Sequence, residues 1–332
     1  MVKIVRLDDV AQRAGVSKNT ASRVLNNRGY ISEETRGKVM RAVKDLNYYP
    51  NENACNLLRQ KSGVIGLLVP SILYPHHAEI ISIIERELSH RHYKLLLCNS
   101  DQNPETERHL LKMFQRNRVE GLITCNHELG SEDYADMTFP VVSIDRYVKE
   151  GVSLVTSNHR KGGRLAAEIL LHRGCRHILQ ISSLIDEIIP WNVRHLVFEN
   201  MIRQQGVECR TFSLDVHLYT SDFDAQCKIV REQLLQYPMV DGFFASDLWA
   251  VAALTEARGL GKRVPQDLKI VGYDGTLLTR ITEPGITTIW QDREKISRSA
   301  VEMLCQMIQD HSSTGYEIQH DVVLIERGST SE

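Results

Sequence analysis

The chain has 332 residues, 42% hydrophobic and 25% charged, a balance that excludes a disordered polymer and leaves length for about two domains. The longest apolar stretch, Val64 to Leu73, falls far short of the roughly 20 residues a membrane-spanning helix needs, and MVKIVRLDDVAQ at the start carries no secretory pattern, so cytoplasmic residence is expected. Charge is uneven: residues 1–61 hold 12 Lys and Arg against 6 Asp and Glu, and the remainder holds 28 against 36, which points to a polyanionic partner for the first segment alone.

In DVAQRAGVSKNTASRVLN, residues 9–26, apolar and small residues fall at Val10, Ala11, Ala14, Val16, Ala21, Val24 and Leu25, giving two helical faces broken at Gly15-Val16. Ala11 and Gly15 are small where two helices would cross, and Ser17 is a natural N-cap for the second helix. This is helix-turn-helix spacing. With Ala21, Val24 and Leu25 turned inward, Lys18, Asn19 and Arg23 project from the first turns of the outer helix, where Arg or Lys can donate to guanine and Asn can pair with adenine. Thr20 and Ser22 suit phosphate oxygens. The alternative is a solvated helical hairpin with its charges on the wet face; the cap, the small residues and the local positive charge favour a DNA reader. A third helix follows in ISEETRGKVMRAVKDLNYYP, with Ser32 as cap, Glu33 and Glu34 in its first turn, Val39, Val43 and Leu46 along one face, and Pro50 as its stop.

The next segment, NENACNLLRQKSG (residues 51–63), is too short to be a stable helix by itself. Read from its residues alone it is a flexible linker whose leucines pack on the larger domain.

From Val64 onward, short apolar runs alternate with amphipathic helices: VIGLLV, a helix over 76–91, KLLLCN, a helix over 104–117, GLITC and PVVSID. After RKGGRLAAEILLHRG the pattern resumes with HILQIS, a helix near 193–205, GFFAS, a helix near 247–258, and LKIVGYDG. Such alternation predicts two doubly wound parallel sheets in series with a cleft between them. Ligands bind beyond the carboxyl ends of strands in such sheets, so Asn126, Asp145, Arg146, Ser246, Asp247 and Asp274 are candidates. Carboxylates, amides and guanidinium groups there suit a polyhydroxylated ligand whose buried hydroxyls must all be paired, and Phe223 is a candidate to cover the apolar face of a sugar ring.

The stretch DVAQRAGVSKNTASRVLN followed by YYPN resembles the DNA-binding domain of the lactose-repressor (LacI/GalR) family of bacterial transcription regulators. The likeness continues through PHHAEII, VEGLI, PVVSIDR, Arg194-x-x-Val197-Phe198, ASD, VPQDLKIVGYDGT, TTIWQD and RGST in the same order, covering nearly the whole chain, and is greatest to repressors of sucrose or ribose operons. The resemblance implies an all-α helix-turn-helix domain (1–50), a hinge helix or linker (51–61) and an α/β effector domain of periplasmic-binding-protein type (62–332). The effector domain would divide into one subdomain over about 62–160 and 291–320 and another over about 161–290 and 321–332. It implies Leu57 as a hinge side chain wedged into the minor groove. Arg6 stands where the family usually has a capping Thr; Asp8 and Asp9 then serve the helix dipole and Arg6 is available to phosphate. The implied DNA set is thus Arg6, Ser17, Lys18, Asn19, Thr20, Ser22, Arg23 and Leu57. The implied ligand set is Arg194 as effector-binding arginine, Asp145 and Asp274 as hydroxyl-binding carboxylates, Phe223 as stacking aromatic, and His76, His77 and Asn126 as pocket lining. Asn158 and Ser246 replace the usual Asp and Asn.

Enzyme motifs are missing: there is no GxSxG, GxxxxGK[ST] or HExxH, and GLGKRV breaks GxGxxG at its last position. The seven scattered cysteines include no CxxC pair, and His76, His77 and Glu79 lack a further ligand, so neither a disulfide framework nor a metal is expected, and no cofactor. The partners expected are double-stranded operator DNA, a small sugar or sugar-phosphate effector of the sucrose, fructose or ribose class, and a second copy of the chain; no membrane is involved. No leucine heptad follows Ser329, so a tetramerising coil is not expected. A solute-binding protein without a gene-regulatory role is the competing class. Effector binding is expected to release the operator, with tightening as the alternative.

Overall fold

A computed structural model describes residues 5–49, 62–125, 129–148, 152–184, 190–215, 222–311 and 315–331. Leu57, Asn126 and the whole of the expected hinge 51–61 lie outside the described residues. The chain divides into two compact units, residues 1–62 and 63–332.

The first unit contains α1 (Leu7–Ala14), α2 (Lys18–Leu25) and α3 (Glu33–Asp45) around a small core of Val10, Ala11, Ala21, Val24, Val39 and Ala42. Gly15 ends α1 at φ 67°, a left-handed backbone that costs glycine nothing. The hydroxyls of Ser17 and Ser32 accept from the backbone N–H groups of Thr20 and Thr35, capping α2 and α3 as the sequence predicts. At α1, Asp9 takes the capping role from below, its carboxylate accepting the Arg6 backbone N–H at 2.7 Å.

The second unit is built on two six-stranded sheets. In the first, β1 (Val64–Val69), β2 (Lys94–Asn99), β3 (Gly121–Thr124), β4 (Val141–Ile144), β5 (Ser153–Ser157) and β11 (Glu317–His320) are ordered β11-β5-β4-β3-β1-β2, all parallel. In the second, β6 (His177–Leu184), β7 (Glu208–Asp215), β8 (Gly242–Phe244), β9 (Lys269–Asp274), β10 (Thr287–Gln291) and β12 (Val322–Ile325) are ordered β12-β10-β9-β8-β6-β7. This sheet is parallel except at its edge, where β12 runs antiparallel to β10.

The covering helices of the first half are α4 (Pro75–His90) and α5 (Pro104–Arg116); those of the second are α6 (His159–His172), α7 (Val193–Gln204), α8 (Phe223–Gln236), α9 (Asp247–Gly259) and the short α10 (Leu278–Ile281). After β10 the chain returns to the first half as α11 (Arg293–Asp310), whose Ile296, Ala300, Val301 and Leu304 join Ile65, Leu67, Ile80, Ile84 and Val155 in one core. It then supplies β11 to the first sheet and β12 to the second. These crossings bring residues far apart in sequence to the carboxyl ends of both sheets.

Candidate functional site

Asp145 and Asp274 stand at matching places in the two halves, at the carboxyl ends of β4 and β9, and both are buried. Each has a positive φ, 54° for Asp145 and 110° for Asp274, so the backbone is strained where the carboxylates are presented. The Asp145 carboxylate accepts from the Thr156 hydroxyl at 2.7 Å and the Ser157 N–H at 3.1 Å, and it lies 2.8 Å from Nε2 of His159. His159 opens α6, which Asn158 caps, and its other ring nitrogen meets the Tyr273 hydroxyl at 2.9 Å. The two glycines of RKGGRL make this possible. A β-carbon on Gly162 would run into the Tyr273 phenol, and one on Gly163 into the Arg194 backbone carbonyl.

Arg194 lies in the first turn of α7, nearly fully buried, with its guanidinium 4.1 Å above the Tyr273 ring and 5.6 Å from that of Trp191. Its Nη1 is 4.0 Å from Oδ1 of Asp274. That oxygen also accepts from Gln291 Nε2 at 2.8 Å, while Oδ2 accepts from the Tyr74 hydroxyl at 2.7 Å. His76 is 7% exposed; its Nδ1 has no hydrogen-bond partner among the described residues and lies 4.0 Å from Asp274. His77 is held by the Ser71 carbonyl at 3.1 Å. Arg293, at the start of α11, donates to the backbone carbonyls of Asp274 and Gly275 and to Glu79 of α4, fastening the end of β9 to the first half.

Burial governs the charges here. It pushes the Asp247 carboxyl up to about 7, helped by the neighbouring Asp274 charge and opposed by hydrogen bonds from Thr288 and Thr276. Burial raises Asp274 as well, against the pull of Arg194. For Asp145 burial acts upward too, but His159, Thr156 and His76 outweigh it and hold the carboxyl below its usual range. Burial, reinforced by Arg293, lowers His76 to about 3, and burial with His76 lowers His77 to about 4. Both imidazoles are therefore neutral at physiological pH. The result is a set of oriented acceptors and donors, with Arg194 balancing the carboxylates.

Of the residues expected at the ligand, Asp145, Arg194, Asp274 and His76 form this connected cluster, with His77 beside His76 at a ring separation of 5.9 Å. Phe223 is placed differently: it opens α8 and packs, partly buried, against the second half's core. Tyr74, His159, Tyr273, Gln291 and Arg293 complete the cluster without having been apparent from the sequence. The signal that could have found Gln291 and Arg293 is the return crossover at TTIWQD.

In the first unit, Arg6, Ser17, Lys18, Asn19 and Arg23 are exposed, while Thr20 and Ser22 are half-buried. The hydroxyls of Ser17 and Thr20 lie 2.9 Å apart, Ser22 accepts from the Asn26 side chain, and Lys18 pairs with Asp8 at 2.9 Å on the surface. Tyr30 is 95% exposed beyond the end of α2. Among the described residues no helix is long and apolar enough to cross a membrane, and no group of His, Cys, Asp and Glu could hold a metal ion.

A capped helix-turn-helix unit in one chain with an α/β cleft of buried carboxylates and a buried arginine defines a ligand-controlled, DNA-binding transcriptional regulator. Residues 6–51 match the model for bacterial regulatory proteins of the lacI family, and residues 167–330 match the periplasmic binding protein-like domain. The sucrose operon repressor of Streptococcus mutans is 36% identical over 94% of this chain and 95% of its own length. The ribose operon repressor of Halalkalibacterium halodurans is 36% identical over 97% and 96% respectively. The lac repressor dimer bound to operator and the anti-inducer ONPF superposes with a TM-score of 0.85 at 26% identity, over 99% of both chains. The chain belongs to the lacI family of bacterial regulatory proteins.

Proposed function

We propose that this chain represses a carbohydrate-utilisation operon in the cytoplasm, acting as a homodimer rather than as an enzyme, and that a small neutral sugar in the cleft releases it from its operator. The observation that carries the ligand class is the pair of buried carboxylates, Asp145 and Asp274, with Arg194 and His76 4.0 Å from Asp274 and the His76 Nδ1 without a hydrogen-bond partner among the described residues. Hydroxyls can both donate to the carboxylates and accept from Arg194, so a polyol leaves no buried group unpaired. A phosphate would meet the buried Asp145 and Asp274 carboxylates, which favours an unphosphorylated sugar. Relatives named for sucrose and ribose operons, and the CelR–cellobiose complex at TM-score 0.70 and 27% identity, support that class.

The DNA-facing set remains Arg6, Ser17, Lys18, Asn19, Thr20, Ser22 and Arg23, with Leu57 as the hinge wedge. Two copies present two reading helices to a pseudo-palindrome, and the sugar shifts the balance between two arrangements of the halves that hold the operator unequally. Fluorescence anisotropy with a selected palindromic fragment tests this, first across KCl concentrations and then with sucrose, D-fructose and D-ribose. Salt-sensitive binding weakened by a sugar is the expected result. Replacing Asp274 with Ala is expected to abolish the response and spare operator affinity. An affinity that rises or stays constant across the sugars contradicts release.

A further inference from the structure

Tyr74 sits between β1 and α4, directly before Pro75, beside the exposed Ile72 and Leu73. Its hydroxyl reaches across to the other half and donates to Oδ2 of Asp274 at 2.7 Å, while Gln291 occupies Oδ1 at 2.8 Å. Arg194 and His76 stand 4.0 Å from the same carboxylate, just outside hydrogen-bond reach. A phenol offers what a sugar hydroxyl offers: one O–H donor and an acceptor oxygen on a ring with an apolar face.

We propose that Tyr74 is a built-in competitor for the effector, holding on Asp274 the position of a sugar hydroxyl, so that ligand binds by exchanging its own hydroxyl for the Tyr74 phenol at Oδ2. The proposal rests on the sugar-effector reading above. Exchange keeps Asp274 paired only if the incoming molecule carries a hydroxyl at that point. A ligand without one either leaves a buried carboxylate short of a donor or fails to dislodge the phenol. The displaced phenol has somewhere to go, because its neighbours Ile72 and Leu73 already face solvent. Tyr74 thereby filters ligands by hydroxyl pattern, a task the strand-end carboxylates do not accomplish alone.

The test compares full-length wild type with Tyr74→Phe by isothermal titration calorimetry, using sucrose, D-fructose and D-ribose as probes. The variant is expected to bind the sugar recognised by wild type about 10-fold more tightly, because a hydrogen bond to a charged acceptor no longer has to be broken first. Saturating wild type with that sugar is also expected to produce a tyrosine difference absorbance that the variant lacks, as one phenol leaves a carboxylate for water. Equal or weaker sugar binding by Tyr74→Phe overturns the proposal. So does the lack of a tyrosine signal in saturated wild type, a measurement that needs no variant to fold. If neither protein binds any probe while both still bind operator DNA, the sugar reading itself fails and the exchange falls with it.

Discussion

The His159 imidazole joins the two halves of the effector unit, with Nε2 2.8 Å from the Asp145 carboxylate and Nδ1 2.9 Å from the Tyr273 hydroxyl. Both partners are buried, so removing the ring takes one hydrogen bond from a carboxylate and one from a phenol together. Asp145 would keep Thr156 and Ser157, which limits its share of the loss. His159→Leu is expected to destabilise the protein by about 2–4 kcal/mol, measured by urea unfolding, and to weaken sugar control of operator binding. His159→Gln, which can bond one of the two partners, is expected to recover part of both. Wild-type stability in the Leu variant would show that the joint carries no energy.

The glycine pair one turn after that joint sets how closely α6 approaches α7. A methyl at Gly162 would meet the Tyr273 phenol, a side chain that can yield, whereas a methyl at Gly163 would meet the Arg194 carbonyl, which moves only with its helix. Gly163→Ala is therefore expected to cost about 1–3 kcal/mol by overpacking and to displace Arg194 from its place over Tyr273. Calorimetric melting checks the first effect and sugar titration the second. Gly162→Ala is expected to be the milder change, and the reverse ranking would contradict this account.

The buried histidines give the protein an acid-side liability. In the folded chain His76 is lowered from 6.5 to about 3 and His77 from 6.5 to about 4, so below 6.5 the unfolded chain takes up protons first. Their stabilising contribution is complete above pH 6.5 and is lost as pH falls toward those values. Asp247, raised from 3.8 to about 7, works in the opposite sense: folding favours its protonated form, adding stability as pH falls from about 7 toward 4. The groups bearing on His76 are Arg293, Asp145, Arg194 and His159, with Asp274 4.0 Å away. His76→Asn is expected to reduce the loss of stability between about pH 6.5 and pH 4.5 by up to about 1.4 kcal/mol per pH unit. Urea unfolding at the two pH values decides it, and an unchanged slope would remove His76 as the cause.

Much of this arrangement was legible in the sequence wherever one residue's place follows from its own element. Ser17 and Ser32 read as caps because a hydroxyl before an amphipathic run has one obvious use, and Asp145, Asp247 and Asp274 read as cleft residues because they end apolar strands. In the second unit the expected helix ends fall within a residue or so, as with 76–91 against Pro75–His90, whereas α3 ends at Asp45, ahead of the Pro50 expected to stop it. What stayed hidden depends on contacts between distant segments. Tyr74 meets Asp274 across 200 residues, and Arg293 meets Glu79 across 214. No local period encodes such a pairing. Phe223 shows the converse: an aromatic residue on an amphipathic helix serves a core and a sugar ring equally well by composition, and here its packing is with the core.

The reading helix offers a separation between recognising bases and holding the backbone. Arg23 extends from α2 over Gly29, where φ is 70° and a β-carbon would collide with the guanidinium, so the glycine leaves room for it. Asn19 is exposed one turn earlier on the same helix. Lys18 spends its charge on a surface pair with Asp8, both side chains about 60% exposed. Exposed pairs of that kind contribute roughly 0–1 kcal/mol, so Lys18 can leave Asp8 for a phosphate at little cost. Arg23→Ala and Asn19→Ala are each expected to lose about 1–3 kcal/mol of affinity for the selected palindrome and almost none for random DNA. Lys18→Ala is expected to weaken both DNAs alike and to lower the salt slope by about 1. Anisotropy titrations across KCl separate the two behaviours, because base contacts change the ratio of specific to non-specific binding and phosphate contacts change the slope. Should Arg23→Ala and Asn19→Ala weaken both DNAs alike, as is expected of Lys18→Ala, these residues touch only backbone, and sequence selection must come from elsewhere in the chain.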